Sequence, residues 1–180
     1  MDLLVPITAS GKRDGVYGVY VVAVDNAGNT TTLRDSFVID SVGPTVFGGN
    51  FYVNNRGGDS VISDGQVFGA TTFIDSIAVL LTDSSSLVPS DIGFRYTGGV
   101  NLTVSSITVT DSVTGQSLGG TLKTASDSLL VFWLTDSTPL SGQYRISVVA
   151  FDNAGNQRTT TRTFIYDQDS PVRQTLTVGS

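Results

Sequence analysis

The sequence contains no cysteine and no histidine, and it has one tryptophan among 180 residues. Without cysteine there is neither a disulfide framework nor a thiolate to act as a nucleophile. Histidine, the most frequent catalytic base, is missing as well, and no serine lies in a recognisable nucleophile elbow. Sixteen acidic residues are present, but no spacing singles out a catalytic pair. We therefore expect a protein that is not an enzyme.

Basic residues are also few. Ten Lys and Arg against sixteen Asp and Glu give a formal net charge of −6, and no basic block is present. Binding to nucleic acid through its phosphates is therefore excluded as an expectation. No apolar run is long enough to span a bilayer, so we expect no membrane insertion in this segment.

An internal repeat with a period of 127 residues organises the chain. The segment VAVDNAGN at Val22–Asn29 returns as VAFDNAGN at Val149–Asn156. The same shift aligns residues 3–44 with residues 130–171 without a gap. Repetition at a fixed period is typical of tandem arrays. It predicts that residues 1–44 end one module, that residues 45–171 form a complete module, and that residues 172–180 begin a third.

Alternation of apolar and polar residues predicts strands. In GQYRISVVAFD the residues at every second position from Tyr144 to Ala150 are apolar, which is typical of a half-buried strand. The other predicted strands are Val61–Phe68, Ser76–Thr82, Ile107–Asp111, Leu129–Leu134 and Thr160–Tyr166. Turn residues separate them, and no helical period occurs anywhere. The chain is therefore predicted to be an all-β sandwich.

The stretch PLSGQYRISVVAFDNAGN, followed by RTFIYDQDSP, resembles the bacterial immunoglobulin-like repeats of large surface proteins and adhesins. The resemblance implies an immunoglobulin-like antiparallel β-sandwich in tandem repeats. It makes the Gly-x-Tyr strand strand F, DNAGN the F–G hairpin, and the closing Asp-x-x-x-Pro the interdomain linker. Residues 1–44 would then be strands E, F and G of a preceding repeat. Residues 50–70 and 93–104 fit the pattern loosely.

The DNAGN segment has two interpretations. As a turn, it needs only Gly155 at a positive φ and the Asp152 side chain as a cap. As a calcium site, it would use the loops that the resemblance places at the pole facing the preceding linker. That pole would gather Asp40, Asp83, Asp152 and Asn153, with Asp127 nearby. Calcium binds six to eight oxygen ligands, although no DxDxDG loop is present.

Three aromatic residues are candidates for further roles. Tyr17 and Tyr144 each follow a glycine by two positions, which indicates a tyrosine corner. Trp133 falls on the outward side of its predicted strand. Its ring would either cover neighbouring surface or, in a binding module, stack on a sugar.

These patterns favour a non-enzymatic spacer repeat of a secreted or cell-surface adhesin-type bacterial protein, possibly stiffened by calcium between its domains. The expected partners are neighbouring repeats of the same chain, with a surface protein or a glycan at one end of the array. The alternative is a carbohydrate- or protein-binding accessory module of a larger extracellular protein. In both cases the expected location is extracellular or at the cell surface.

Overall fold

The structure is a computed structural model that describes residues 14–55, 58–83, 99–124 and 128–170. Two predicted parts, the strand at residues 3–8 and the start of a third module at 172–180, lie outside the described residues, as does Asp127. The strands are β1 (Gly15–Val24), β2 (Thr30–Ile39), β3 (Thr45–Asn55), β4 (Gly58–Ile62), β5 (Gln66–Gly69), β6 (Ser76–Thr82), β7 (Ser106–Asp111), β8 (Gly120–Thr124), β9 (Leu129–Leu134), β10 (Gly142–Phe151) and β11 (Gln157–Asp167).

Strands β3 to β11 form two sheets that face each other. One sheet has the order β4-β3-β6-β9-β8, and the other has the order β5-β11-β10-β7. All pairs are antiparallel except β5–β11, which is parallel. The inward side chains of both sheets make one apolar core, which includes Phe51, Ile77, Leu130, Ile146 and Phe164. The predicted all-β fold is therefore confirmed, and the described part of the chain holds no helix long and apolar enough to cross a membrane.

Strand prediction succeeded where one face of a strand is buried. The segments Ser76–Thr82 and Leu129–Leu134 are β6 and β9 with the predicted bounds. Ile107–Asp111 gains one residue at its start in β7, and Thr160–Tyr166 extends at both ends in β11. Each of these strands has inward side chains that the opposite sheet covers, so period-two alternation is strong in its sequence.

The prediction of one strand over Val61–Phe68 is wrong. The segment divides into β4, in the five-stranded sheet, and β5, in the four-stranded sheet. A turn between them places Gly65 at a φ of 72°. Asp64 Oδ1 accepts hydrogen bonds from the Thr163 N–H at 2.9 Å and from its hydroxyl at 2.8 Å. This contact with β11 fixes the point where the chain crosses from one sheet to the other.

The β1–β2 hairpin lies outside these two sheets, and it has the same pairing as the β10–β11 hairpin. The first pair of β1–β2 is Gly15 with Ile39, and the first pair of β10–β11 is Gly142 with Tyr166. Ten consecutive pairs follow in each hairpin, and every pair in one corresponds to a pair in the other after a shift of 127 residues.

Side-chain packing is repeated as well. The rings of Tyr17 and Phe37 stack with centroids 5.5 Å apart, and those of Tyr144 and Phe164 stack at 5.3 Å. The burial of the two ring pairs differs. Tyr144 and Phe164 are buried in the sandwich core, whereas Tyr17 and Phe37 are only half-buried.

The predicted tyrosine corner is present at Tyr144, whose hydroxyl donates a hydrogen bond to the Leu140 carbonyl at 2.8 Å. Burial, with a smaller contribution from the Asp111 carboxylate, raises the pKa of this tyrosine above its ordinary value. Tyr144→Phe is expected to lower the free energy of unfolding by about 0.5–1.5 kcal/mol, because one hydrogen bond is lost without a cavity. Urea denaturation measures this effect. Tyr20→Phe, at an exposed tyrosine, serves as the control, and an equal loss in both variants would contradict a specific corner bond.

Candidate metal centre at the linker junction

The linker between β2 and β3 brings Asp40 to one end of the sandwich. Strand β3 begins at Thr45, which pairs with Thr82 at the end of β6. Asp83 follows directly after that strand, so the antiparallel pairing places it beside the incoming linker. The residues closest to the linker are therefore fixed by backbone pairing.

The β10–β11 turn holds the linker from the other side. The Asn156 side-chain amide donates a hydrogen bond to the Asp40 carbonyl at 3.0 Å. Gly43 lies so close to the turn that a Cβ atom there would come within 2.9 Å of the Gln157 carbonyl carbon. Only glycine permits this approach of two backbones. Asp152, at the start of the turn, is thereby placed next to Asp40.

Asp40, Asp83 and Asp152 are brought together at this end. One carboxylate oxygen from each of the three lies within 4.8 Å of the others. Calcium–oxygen bonds measure about 2.3–2.6 Å, so two oxygens on one ion stand at most about 5 Å apart. The spacing therefore fits one cation held by all three. Asp152 is 1% exposed, Asp40 and Asp83 are half-buried, and Asp83 Oδ2 is shielded from solvent.

Asp152 also organises the turn in which it lies. Its Oδ1 accepts a hydrogen bond from the Asn156 N–H at 2.8 Å, and its Oδ2 accepts one from the Asn156 amide at 2.8 Å. Gly155 takes a φ of 91°. A carboxylate has about four acceptor positions. These two bonds therefore leave acceptor capacity for a cation, and the turn and metal interpretations are compatible.

The corresponding turn at Asp25 makes the same local bonds without the cluster. Asp25 Oδ1 accepts from the N–H groups of Ala27 at 2.9 Å and Asn29 at 2.8 Å, and Oδ2 accepts from the Asn29 amide at 2.7 Å. The bond from the Asn29 side chain, helped by these backbone N–H groups, lowers the pKa of Asp25. Asp25 is exposed and belongs to no group of three acids among the described residues.

Asn153 lies beside the cluster in sequence, but its side chain is exposed. Its backbone N–H donates to the Gly99 carbonyl at 3.0 Å, and its role as a ligand stays a prediction. The segment that starts at Gly99 was not recognised from the sequence. Val100 forms a bridge with Asp152, and the Asn101 N–H donates to the Phe151 carbonyl at 2.7 Å. This short pairing has no alternation long enough to reveal it in the sequence.

Trp133 lies far from the cluster along β9 and faces outward with 44% of its surface exposed. Its neighbours across the sheet are Ser76 and Thr121. The Lys123 ammonium lies over the indole, 5.9 Å from the ring centroid. This contact favours the interpretation in which the ring covers neighbouring surface, since a cation already uses the ring that a sugar would need.

The family model of a bacterial Ig-like domain matches two segments of the chain, residues 8–41 and residues 117–168. The second segment contains β9, β10 and β11, and the first contains the β1–β2 hairpin. The chain thus carries a bacterial Ig-like domain, as the sequence resemblance indicated. No curated protein matches the chain in sequence.

Two solved structures show limited similarity. CopC from Methylosinus trichosporium OB3b is 16% identical with a TM-score of 0.42, over 69% of this chain and 99% of CopC. PcoC, a methionine-rich copper resistance protein from Escherichia coli, is 14% identical with a TM-score of 0.42, over 58% of this chain and 89% of PcoC. At such identity and TM-score, nothing about the ligands of this chain follows.

Proposed function

We propose that this chain is a structural spacer of tandem Ig-like modules on the outside of a bacterial cell, with calcium at the junction between modules. The proposal depends on one observation above all. The carboxylate cluster combines Asp40 from the linker with Asp83 and Asp152 from the module that follows. An ion bound there would fix the linker to the module, and a spacer gains stiffness from that connection. The proposed role needs no catalytic group.

The ligand set favours calcium over other cations. All three side chains are carboxylates, and the sequence offers neither histidine nor cysteine to a softer metal. Their positions on a linker and two separate loops suit the flexible coordination of calcium. Magnesium requires near-ideal octahedral geometry at shorter distances, which loops from separate strands do not readily provide.

The repeated linker geometry supports a tandem arrangement. Asp40 Oδ1 accepts from the Val42 N–H at 3.2 Å, and Asp167 Oδ1 accepts from the Asp169 N–H at 2.9 Å. These two turns are 127 residues apart, like the two hairpins that precede them. Asp167 would then supply the linker carboxylate of the next junction, as Asp40 does here.

A two-module protein tests the spacer role. Because residue 141 precedes the position equivalent to Gly15, joining residues 45–141 to residues 15–180 gives two complete modules with Asp40 in the linker between them. Small-angle X-ray scattering is expected to show a longer maximum dimension and a narrower distribution of shapes with calcium than with EDTA.

The same protein carrying Asp83→Asn in its second module is the matched control. It should scatter alike in calcium and in EDTA, because the loop is kept and one ligand charge is removed. Scattering of the parent protein that does not change with calcium would contradict a calcium-stiffened spacer.

A further inference from the structure

The β1–β2 hairpin presents a face that has the composition of a protein core but lies open. Its inward-type side chains, here called the core-type face, are Tyr17, Val19, Val21, Ala23, Phe37 and Ile39. Their counterparts in β10 and β11 are buried between the two sheets. Val148 is 1% exposed, whereas its counterpart Val21 is 39% exposed. The difference comes from what covers each hairpin, since residue type, register and turn are the same.

We infer that in this 180-residue chain a second copy covers the core-type face, so that two β1–β2 hairpins pack face to face. The β10–β11 hairpin shows which cover such a face accepts, because a second sheet packs on its equivalent positions. The sheets of the sandwich are already occupied by their own core. A second copy brings an identical apolar sheet face, and two such faces form a small two-layer sandwich.

The edges of the hairpin support the same inference. Strand β10 pairs with β7 on its far side, and β11 pairs with β5. Within the described residues, β1 and β2 pair only with each other. An isolated two-stranded hairpin is marginally stable in water, so a partner layer provides burial that the hairpin lacks.

Asp35 gives the association a charge signature. It lies opposite Val19 on β2, on the core-type face. The counterpart of Asp35 is Arg162, which crosses to the other sheet and donates to the Gly49 carbonyl at 2.6 Å. Two hairpins packed face to face bring two Asp35 carboxylates into one interface, where like charges repel. Removing this charge should therefore tighten the pair.

The opposite face of the hairpin supplies a matched control. Val22 is 61% exposed and is therefore more accessible than Val21. Its counterpart Val149 lies on the outer face of the four-stranded sheet, which no second layer covers. The Arg34 guanidinium lies over the Tyr20 ring on this outer face, 5.4 Å from the centroid. Random collision would favour reaction at Val22, whereas face-to-face packing favours Val21.

Cysteine cross-linking of the full chain tests the inference, since the natural sequence has no cysteine. The experiment is performed in EDTA, so that it does not depend on the proposed calcium site. Val21→Cys is expected to form a disulfide-linked dimer under mild oxidation at least tenfold faster than Val22→Cys. In sedimentation equilibrium the unmodified chain should dimerise, Val21→Asp should be monomeric, and Asp35→Asn should dimerise at lower concentration.

Two results would overturn the inference. One is a chain that stays monomeric at millimolar concentration. The other is cross-linking at Val22→Cys as fast as at Val21→Cys, which would indicate unspecific contact. A dimer that survives Val21→Asp but not Val22→Asp would place the interface on the outer face and would equally refute it.

Discussion

Millimolar calcium added to EDTA-treated protein is expected to raise the free energy of unfolding by about 2.7 kcal/mol once free calcium exceeds the dissociation constant a hundredfold. The reason lies in the three carboxylate oxygens within 4.8 Å of one another at the linker junction. Without a cation these charges repel, and a bound ion replaces that repulsion with fixed coordination. Urea denaturation at a series of free calcium concentrations measures the gain.

Variants separate the metal site from the turn. Asp83→Asn and Asp152→Asn should each abolish most of the gain from calcium. Asp152→Asn should also lower the stability in EDTA by about 1–3 kcal/mol, because Asp152 accepts two hydrogen bonds from Asn156 in a buried position. Asp25→Asn is the matched control. It disturbs the same kind of turn outside the cluster, and it should leave the response to calcium intact.

Two outcomes would contradict a calcium site. The first is a denaturation curve that is identical in calcium and EDTA, with no heat in a calorimetric titration. The second is an equal gain from magnesium, because that ion demands a geometry that these loops do not readily provide. In either case the aspartates would remain turn and linker residues only.

A comparison of Val148→Ala with Val21→Ala should show a second large effect. Val148 is 1% exposed and packs between the sheets, so its truncation should cost about 2–3 kcal/mol through lost burial and a residual cavity. Val21 occupies the equivalent position of the exposed hairpin. Its truncation should change the unfolding of the sandwich by less than about 0.5 kcal/mol.

The free energies come from urea denaturation followed by the fluorescence of Trp133, which lies in the sandwich. Measurements below the concentration of hairpin association isolate the effect within one molecule. Equal losses in the two variants would mean that the hairpin folds as part of the same cooperative unit as the sandwich. That result would count against the division of the chain at residue 44.

Local chemistry determined much of this protein from the sequence alone. Alternation predicted β6 and β9 to the residue, because one face of each strand is buried by the opposite sheet. The DNAGN turn followed from the φ that glycine permits and from the short acceptor side chain of aspartate. The repeat linked this hairpin to a second one, and the register of both hairpins agrees with that alignment.

Contacts between distant residues were decided only by the tertiary structure. The break between β4 and β5 depends on the bond from Thr163 to Asp64, and no local pattern of residues encodes a contact across 99 positions. The family resemblance named Asp40, Asp83 and Asp152, since it assigned their loops to one pole. Their separation, and the burial of Asp152 beneath the linker and Val100, come from how the linker packs on the turn. Such packing depends on backbone pairing throughout the sandwich, which the three aspartates themselves do not specify.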